Sequence, residues 1–210
     1  MKKDFRGAES KLFFKKWFTF PALHKVRFPK SYRIKELDFQ FRKSRTIHEA
    51  KLLAKAKEVG VRTPIIYEID ITNTTLVLEY IDGEILKTLL TKISKKEIQE
   101  ICEQLGKDVG KLHNAGIIHG DLTTSNIIKS PKEKQLTFID FGLGYISNRL
   151  EDFGIDLFLL ERAFRNTHST IFVDAWKIVI KGYKKISTHS KNIENKLLEI
   201  STRGRYSERM

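Results

Sequence analysis

The 210-residue chain has a single cysteine, Cys102, which excludes an internal disulfide and any cysteine-based metal cluster. It falls among apolar residues at helical spacing and reads as a small core residue. No apolar run approaches the roughly 18 residues needed to cross a bilayer. Nor is Met1-Lys2-Lys3-Asp4 followed by the hydrophobic stretch of a signal peptide. These absences predict a cytoplasmic protein with no membrane partner. Internal repeats and low-complexity segments are missing too, which excludes solenoids and disordered linkers.

What is present suits a folded unit. Apolar residues make up 40% of the chain and aromatics 10%, enough for a buried core. Lys and Arg number 39 against 26 acids, a net charge of +13. That charge is uneven: residues 1–60 carry 17 basic and 6 acidic groups, residues 61–176 carry 13 and 17, and residues 177–210 carry 9 and 3. Two basic ends flank a mildly acidic middle, a distribution suited to phosphate-rich partners or to a solvated lysine surface.

The pattern of the first part is mainly extended. Lys11 to Phe20 is rich in aromatic residues, Ala22 to Phe28 alternates loosely, and Ile65 to Ile69 and Thr75 to Tyr80 are β-branched and aromatic. One helix interrupts them, predicted over Thr46 to Val59 and stopped by Gly60. After Gly83 the period becomes helical. Ser94 with Glu97 is a capping-box signature, and the apolar face that follows runs to His113. Short strands are predicted at Ile127 to Lys129 and Leu136 to Ile139 around a Ser130-Pro131 turn. Three amphipathic helices then cover Phe153 to Phe164, Phe172 to Tyr183 and Ile193 to Ile200. The fold class is α+β in two lobes: a β-rich lobe over 1–82 with one main helix, a mostly helical lobe over 83–202, and a basic tail over 203–210. Ligands commonly bind between such lobes.

The chemistry lies in His119-Gly120-Asp121-Leu122-Thr123-Thr124-Ser125-Asn126 and, downstream, Ile139-Asp140-Phe141-Gly142. Phosphoryl transfer needs little covalent help, so catalysis is positioning plus neutralisation of phosphate charge. An Asp to orient the attacking oxygen, an Asn five residues on for metal, and a second Asp at a strand end supply that set. Asp121, Asn126 and Asp140 have those identities and that spacing. Either tripeptide alone would pass as a turn whose Asp caps backbone amides; the pair, in this order around two predicted strands, is specific.

Here the chain resembles the protein kinase superfamily, whose His-Arg-Asp loop and Asp-Phe-Gly motif occupy these relative positions. The resemblance implies an upstream strand lysine paired with a helix glutamate, and Lys25 and Glu49 stand where those belong. Thr46 with Glu49 also fits a capping box. Three departures stand out. Gly7-Ala8-Glu9-Ser10 replaces the glycine-rich phosphate loop with one glycine for three. Gly120 replaces the arginine that usually grips a phosphorylated activation loop, which argues against switching by loop phosphorylation. Only eight residues separate Gly142 from Glu151, with no Ala-Pro-Glu motif, so the platform for peptide substrates is short or missing.

These departures, with Arg27-Phe28-Pro29-Lys30-Ser31-Tyr32-Arg33, Arg45-Thr46-Ile47-His48-Glu49-Ala50, Glu151-Asp152-Phe153-Gly154-Ile155-Asp156-Leu157 and Arg203-Gly204-Arg205, resemble the small atypical serine/threonine kinase of the KEOPS (EKC) complex, the p53-related protein kinase family. The resemblance covers nearly the whole chain. It implies a minimal kinase fold with ATP and Mg²⁺ as cofactors, kinase and ATPase activity, and a role beside the enzyme that makes threonylcarbamoyladenosine in tRNA. It also implies the KEOPS catalytic subunit and the other KEOPS subunits as partners.

Carried over by position, Asp121 would be the catalytic aspartate, with Asn126 and Asp140 as magnesium ligands. Lys25 with Glu49 would clamp phosphates, Gly7, Ala8, Glu9 and Ser10 would cover them, and Glu79, Tyr80 and Ile81 would form the hinge for adenine. Asp156 would brace the catalytic loop or, more simply, act as a helix N-terminal acid. The clusters Lys25, Arg27, Lys30, Arg33, Lys35 and Arg203, Arg205, Arg209 would suit a tRNA backbone. Two other readings remain: a small-molecule phosphotransferase of the aminoglycoside and choline kinase type, which shares His-Gly-Asp, and a catalytically silent scaffold.

Overall fold

The structure, a computed structural model, describes residues 4–207 except 8 and 134. Strands β1 (Asp4–Arg6), β2 (Ser10–Phe14) and β3 (Ala22–Arg27) precede helix α1 (Lys35–Glu58), and β4 (Ile66–Asp70) and β5 (Thr75–Glu79) follow it. They form one antiparallel sheet in the order β1-β2-β3-β5-β4. β3 is therefore paired on both edges, Lys25 lying opposite Leu12 on one side and Leu76 on the other. Since side chains alternate along a strand, Lys25 and Arg27 share a face. Both are buried, as are Thr46, Glu49, Ala50, Leu52, Leu53 and Ala56 of α1.

The helix begins at Lys35, eleven residues before the predicted Thr46. Its first half shows no apolar stripe, and Leu37 and Phe41 are exposed. Ion pairs hold that half instead. Buried Asp38 accepts from Arg42 Nε at 2.6 Å and from the Lys30 amide at 3.3 Å, while Arg33 lies at 3.6 Å. Gly60, with φ +78°, closes the helix as expected. The strand predicted over Lys11 to Phe20 ends at Phe14. Beyond it the aromatics build a surface cluster: Trp17 and Phe20 exchange backbone hydrogen bonds, and Trp17 stacks on Tyr67 at 5.2 Å.

The second part opens with β6 (Glu84–Ile85), the short α2 (Leu86–Leu89) and α3 (Lys95–Asn114). The capping box forms, with Glu97 N donating to Ser94 Oγ and Ser94 N donating to Glu97 Oε2, an arrangement of about 1 kcal/mol. Strands β7 (Ile117–Ile118), β8 (Ile127–Lys129), β9 (Leu136–Phe138) and β10 (Tyr145–Ile146) follow, then α4 (Leu150–Thr167), α5 (Phe172–Ile186) and α6 (Ser190–Ser207). α3 and α5 cross closely because Gly106 has no side chain; a Cβ there would lie 2.0 Å from the Val179 carbonyl oxygen. One apolar core joins both parts, from Leu53 and Leu76 through Phe138 and Phe141 to Phe153, Leu157 and Tyr183.

The tail set at residue 203 begins instead as helix, because α6 runs unbroken through Ser207. Arg203 is fixed there by ion pairs to Glu199 and to Glu151 of α4. Residues 208–210, Arg209 among them, and Ala8 lie outside the described residues.

Candidate active site

The site is assembled where β3, α1 and the segments flanking β8 and β9 meet. Lys25 Nζ donates to Glu49 Oε1 at 2.8 Å and to Asp140 Oδ1 at 2.7 Å. One ammonium thus joins three segments separated by up to 115 residues. Glu49 is 1% exposed and its second oxygen, Oε2, accepts from the Arg27 guanidinium. A Cβ at Gly142 would lie 3.0 Å from Asp140 Oδ1, 3.4 Å from Arg27 Nη2 and 3.6 Å from Glu49 Oε2, so these charges crowd around the Asp-Phe-Gly turn.

Asp140 has φ +61°, a left-handed conformation uncommon for a residue with a side chain. Burial opposes its charge, yet the Lys25 ammonium and the Gly142 amide hold its carboxyl below the usual range. The side chain remains about half exposed, ionised and free on its outer side to meet a cation.

The catalytic-loop candidates are equally constrained. Asn126 Nδ2 donates to both the backbone carbonyl and the carboxylate of Asp121, each at 2.8 Å. Both bonds use the Asn126 nitrogen, so neither occupies its amide oxygen. Its backbone carbonyl accepts from the Ile139 amide at 3.0 Å, which ties the loop to the residue before Asp140. Asp156 of α4 receives the His119 amide at 2.8 Å on Oδ2 and the Gly120 amide at 2.9 Å on Oδ1. The bracing reading of Asp156 is the one the contacts favour over a simple helix N-terminal acid. Burial works against the Asp156 charge, but the hydrogen bond from His113 and the nearby imidazoles and amides keep its carboxyl below the ordinary value.

Gly120 has φ +79°, and a Cβ there would lie 2.2 Å from the Leu143 carbonyl oxygen. The space an arginine would need is filled by the chain leaving Asp-Phe-Gly. That chain is short: Gly144 N bonds the Phe141 carbonyl, β10 pairs with β7, and α4 starts at Leu150.

After β1 the Gly7 amide donates to the Ser10 carbonyl at 2.9 Å. Glu9 turns back to an ion pair with Arg45 of α1. At the hinge, the Glu79 amide bonds Ile65 O at 2.7 Å and the Tyr80 amide bonds Pro21 O at 3.2 Å. The Glu79 carboxylate holds Arg62 and the Ile65 amide. Of the three positions Glu79, Tyr80 and Ile81, Ile81 is the one whose N–H these bonds do not use. Of the basic cluster Lys25, Arg27, Lys30, Arg33 and Lys35, the first two are turned inward, at 5% exposure each, and Arg33 faces Asp38 at 3.6 Å, while Lys35 is exposed.

Sequence reasoning missed three contacts. Arg27 on Glu49 is one. His48 Nε2, 3.0 Å from the Gly144 carbonyl, ties α1 to the segment after Asp-Phe-Gly. Buried His168 sits 3.3 Å from Thr124 Oγ1 inside the catalytic loop. Only Arg27 left a local signal, its place two residues beyond Lys25 on one strand face.

Comparison with known proteins fits this geometry. The family described as the protein kinase domain matches residues 25–176. The KEOPS complex subunit Bud32 of Pyrococcus abyssi is 45% identical over 217 positions, covering 100% of this chain and 98% of that one. The chain belongs to the Bud32 family of kinases. A probable bifunctional tRNA threonylcarbamoyladenosine biosynthesis protein of Methanothermobacter thermautotrophicus is 39% identical over 97% of this chain, which spans 36% of that longer protein. Among solved structures, WaaP in complex with acyl carrier protein superposes with TM-score 0.70 at 12% identity, covering 100% of this chain and 88% of that one. A Chaetomium thermophilum Rio2 kinase complex superposes with TM-score 0.64 at 16% identity, covering 98% and 70%. At those identities the two structures establish the kinase-like fold alone. Bud32 membership over the full length does not favour the small-molecule phosphotransferase reading. No helix among the described residues is long and apolar enough to cross a membrane.

Proposed function

We propose that this chain is the ATP- and Mg²⁺-dependent kinase and ATPase subunit of a KEOPS-type complex, supporting threonylcarbamoyladenosine modification of tRNA in the cytoplasm. The observation that carries the reading is the Lys25 ammonium bonded to both Glu49 and Asp140 beside a hydrogen-bonded Asp121–Asn126 pair. That arrangement occurs in a chain similar along its whole length to a protein named as a KEOPS subunit.

In this reading Lys25 neutralises the α and β phosphates, and Glu49 fixes the ammonium in place. Asp121 accepts the proton of the attacking hydroxyl or water, held in position by Asn126. Asp140 and the Asn126 amide oxygen, which the bonds to Asp121 leave unused, are hard oxygen donors suited to Mg²⁺, which takes few protein ligands and completes its shell with phosphate and water. Bound there, the metal would neutralise charge on the transferring phosphate. Ile81 offers a hinge amide to adenine, and the short turn at Gly7 to Ser10 covers the phosphates with its backbone.

The short segment after Gly142 leaves little platform for a peptide, which favours water or a partner-presented hydroxyl as acceptor over a free protein substrate. Partner contacts are assigned to the KEOPS catalytic subunit and the other subunits, and tRNA contact to the basic ends, where Lys35 and Arg203 are exposed. The test is Mg²⁺-dependent turnover of radiolabelled ATP by the purified chain, alone and with tRNA plus the modification enzyme. Free labelled phosphate, raised by the assembled complex and lost in Asp140→Ala, is expected. Equal turnover by wild type and variant would overturn the assignment.

A further inference from the structure

Glu49 carries more positive charge than a lysine clamp needs. Its two oxygens are divided between two buried cations, Oε1 taking Lys25 Nζ at 2.8 Å and Oε2 taking the Arg27 guanidinium. All three side chains are nearly inaccessible, at 7%, 5% and 1% of their free surface. Arg27 is itself held, with Nη1 3.4 Å from Thr46 Oγ1, and that hydroxyl donates to the Arg42 carbonyl at 2.8 Å. Arg27 does not reach outward. It points into the site and touches Glu49 beside the Asp-Phe-Gly turn.

We propose that Arg27 is a second positioning cation of the nucleotide site, neutralising Glu49 so that Lys25 delivers an unbalanced positive charge to the nucleotide phosphates. Counting charges gives the reason. Lys25 with Glu49 alone is a neutral pair and acts on a phosphate as a dipole. Lys25, Arg27 and Glu49 together carry +1, and Asp140 brings the set to zero before nucleotide binds. When Asp140 turns to the metal, Lys25 loses one of its two acceptors, and the remaining one is already satisfied by Arg27. A buried unbalanced cation interacts far more strongly with an anion than one at the surface, because little water screens it. The arginine is suited to this place: its guanidinium keeps its charge when buried and its planar fork spans Glu49 and Thr46 together.

The inference rests on the assignment of Lys25 to the phosphates, so Lys25→Met is measured alongside. The variants are Arg27→Gln, which keeps a hydrogen-bond donor without the charge, Arg27→Lys, Glu49→Gln, and Arg27→Gln combined with Glu49→Gln. Each is assayed for Mg²⁺-dependent ATP turnover over a range of ATP concentrations, with melting by circular dichroism to establish that it folds. Arg27→Gln is expected to raise the KM for ATP about tenfold while kcat falls less than threefold, the pattern of lost uniform binding. Arg27→Lys should restore KM to within threefold of wild type. In the Glu49→Gln background, removing Arg27 should change KM less than twofold, because its action runs through that carboxylate. A purely structural arginine would lower the melting temperature equally in Lys and Gln variants and leave KM unmoved. If Lys25→Met abolishes turnover while Arg27→Gln leaves KM within twofold, Arg27 has no positioning role. If Lys25→Met turns over normally, the phosphate assignment itself falls.

Discussion

Gly120 stands where the protein kinase motif has arginine, and replacing it directly tests the packing around the site. An alanine at Gly120 meets two independent obstacles. Its backbone, at φ +79°, lies in the left-handed region, which costs a residue with a Cβ about 1–2 kcal/mol. Its new methyl would start 2.2 Å from the Leu143 carbonyl oxygen and 2.6 Å from the Leu143 carbonyl carbon. Those are backbone atoms that no rotamer change moves away. Relieving such a clash by shifting main chain costs about 1–3 kcal/mol more. The sum is about 2–5 kcal/mol, and for a domain of this size each kcal/mol lowers the melting temperature by roughly 2–4 °C. Thermal unfolding followed by circular dichroism, without nucleotide, should therefore show Gly120→Ala melting at least about 4 °C below wild type, with Gly120→Arg lower still. The same displacement pulls on Leu143, three residues beyond Asp140, and on the β7–β10 pair that fixes this segment. Turnover should accordingly fall along with stability. A Gly120→Ala protein that melts within 2 °C of wild type and turns over ATP at the wild-type rate would show that the segment after Asp-Phe-Gly does not pack on the catalytic loop as described.

Asp156→Asn leaves one of the two amides from His119 and Gly120 without a carboxylate oxygen, and a buried donor so orphaned costs about 1–3 kcal/mol at neutral pH. Because the Asp156 carboxyl titrates below its ordinary value of 3.8 in the folded protein, its contribution is complete above that value and is lost as pH falls through the lower folded one. Urea unfolding at pH 7 and near pH 3 should show the gap between wild type and Asp156→Asn narrowing on acidification; a gap that is constant or widens would refute the linkage. Burial pushes the Cys102 thiol up to about 12, so it should resist a thiol-titrating disulfide reagent at pH 8 in the native protein and react with one equivalent after unfolding. Stoichiometric reaction of the native chain would contradict its burial.

Much of the candidate site was legible because its chemistry is written in short strings. His119 to Asn126 and Ile139 to Gly142 are each a local loop whose residues act within a few positions of one another, and the Asp121–Asn126 hydrogen bonds span only five. Ser94 and Glu97 were legible for the same reason. The first half of α1 was not, since residues 35–45 are charged and partly exposed and are helical through Asp38 with Arg42, a contact no apolar period announces. Two-residue strands such as β7 and β10 have no period at all; they exist because 27 residues apart in sequence Ile118 and Tyr145 are brought opposite each other. Lysines and arginines were the most misleading. Read by spacing, Lys25 to Lys35 form a basic patch, but β3 turns Lys25 and Arg27 inward and Asp38 draws in Arg33.

The contacts that sequence could not show share a physical consequence. His48 bonds the Gly144 carbonyl, Arg45 pairs with Glu9, Arg27 pairs with Glu49, and Arg42 bonds Thr74 at 2.8 Å at the turn before β5. Through them α1 is fastened at once to Glu9 ahead of β2, to Arg27 of β3, to the segment after Asp-Phe-Gly and to the turn before β5. In a kinase switched by loop phosphorylation, the helix carrying the glutamate and the segment after Asp-Phe-Gly need two arrangements of similar energy, one of them selected by an added charge. Here Gly120 and the Leu143 backbone occupy the place from which an arginine would read that charge, and His48 already supplies the tie between helix and segment. Moving α1 away would break these four contacts together, the buried Arg27–Glu49 ion pair among them. Lys25, Glu49 and Asp140 are therefore brought together in the folded ground state by contacts that fix α1 from several sides, with no phosphorylated segment among them.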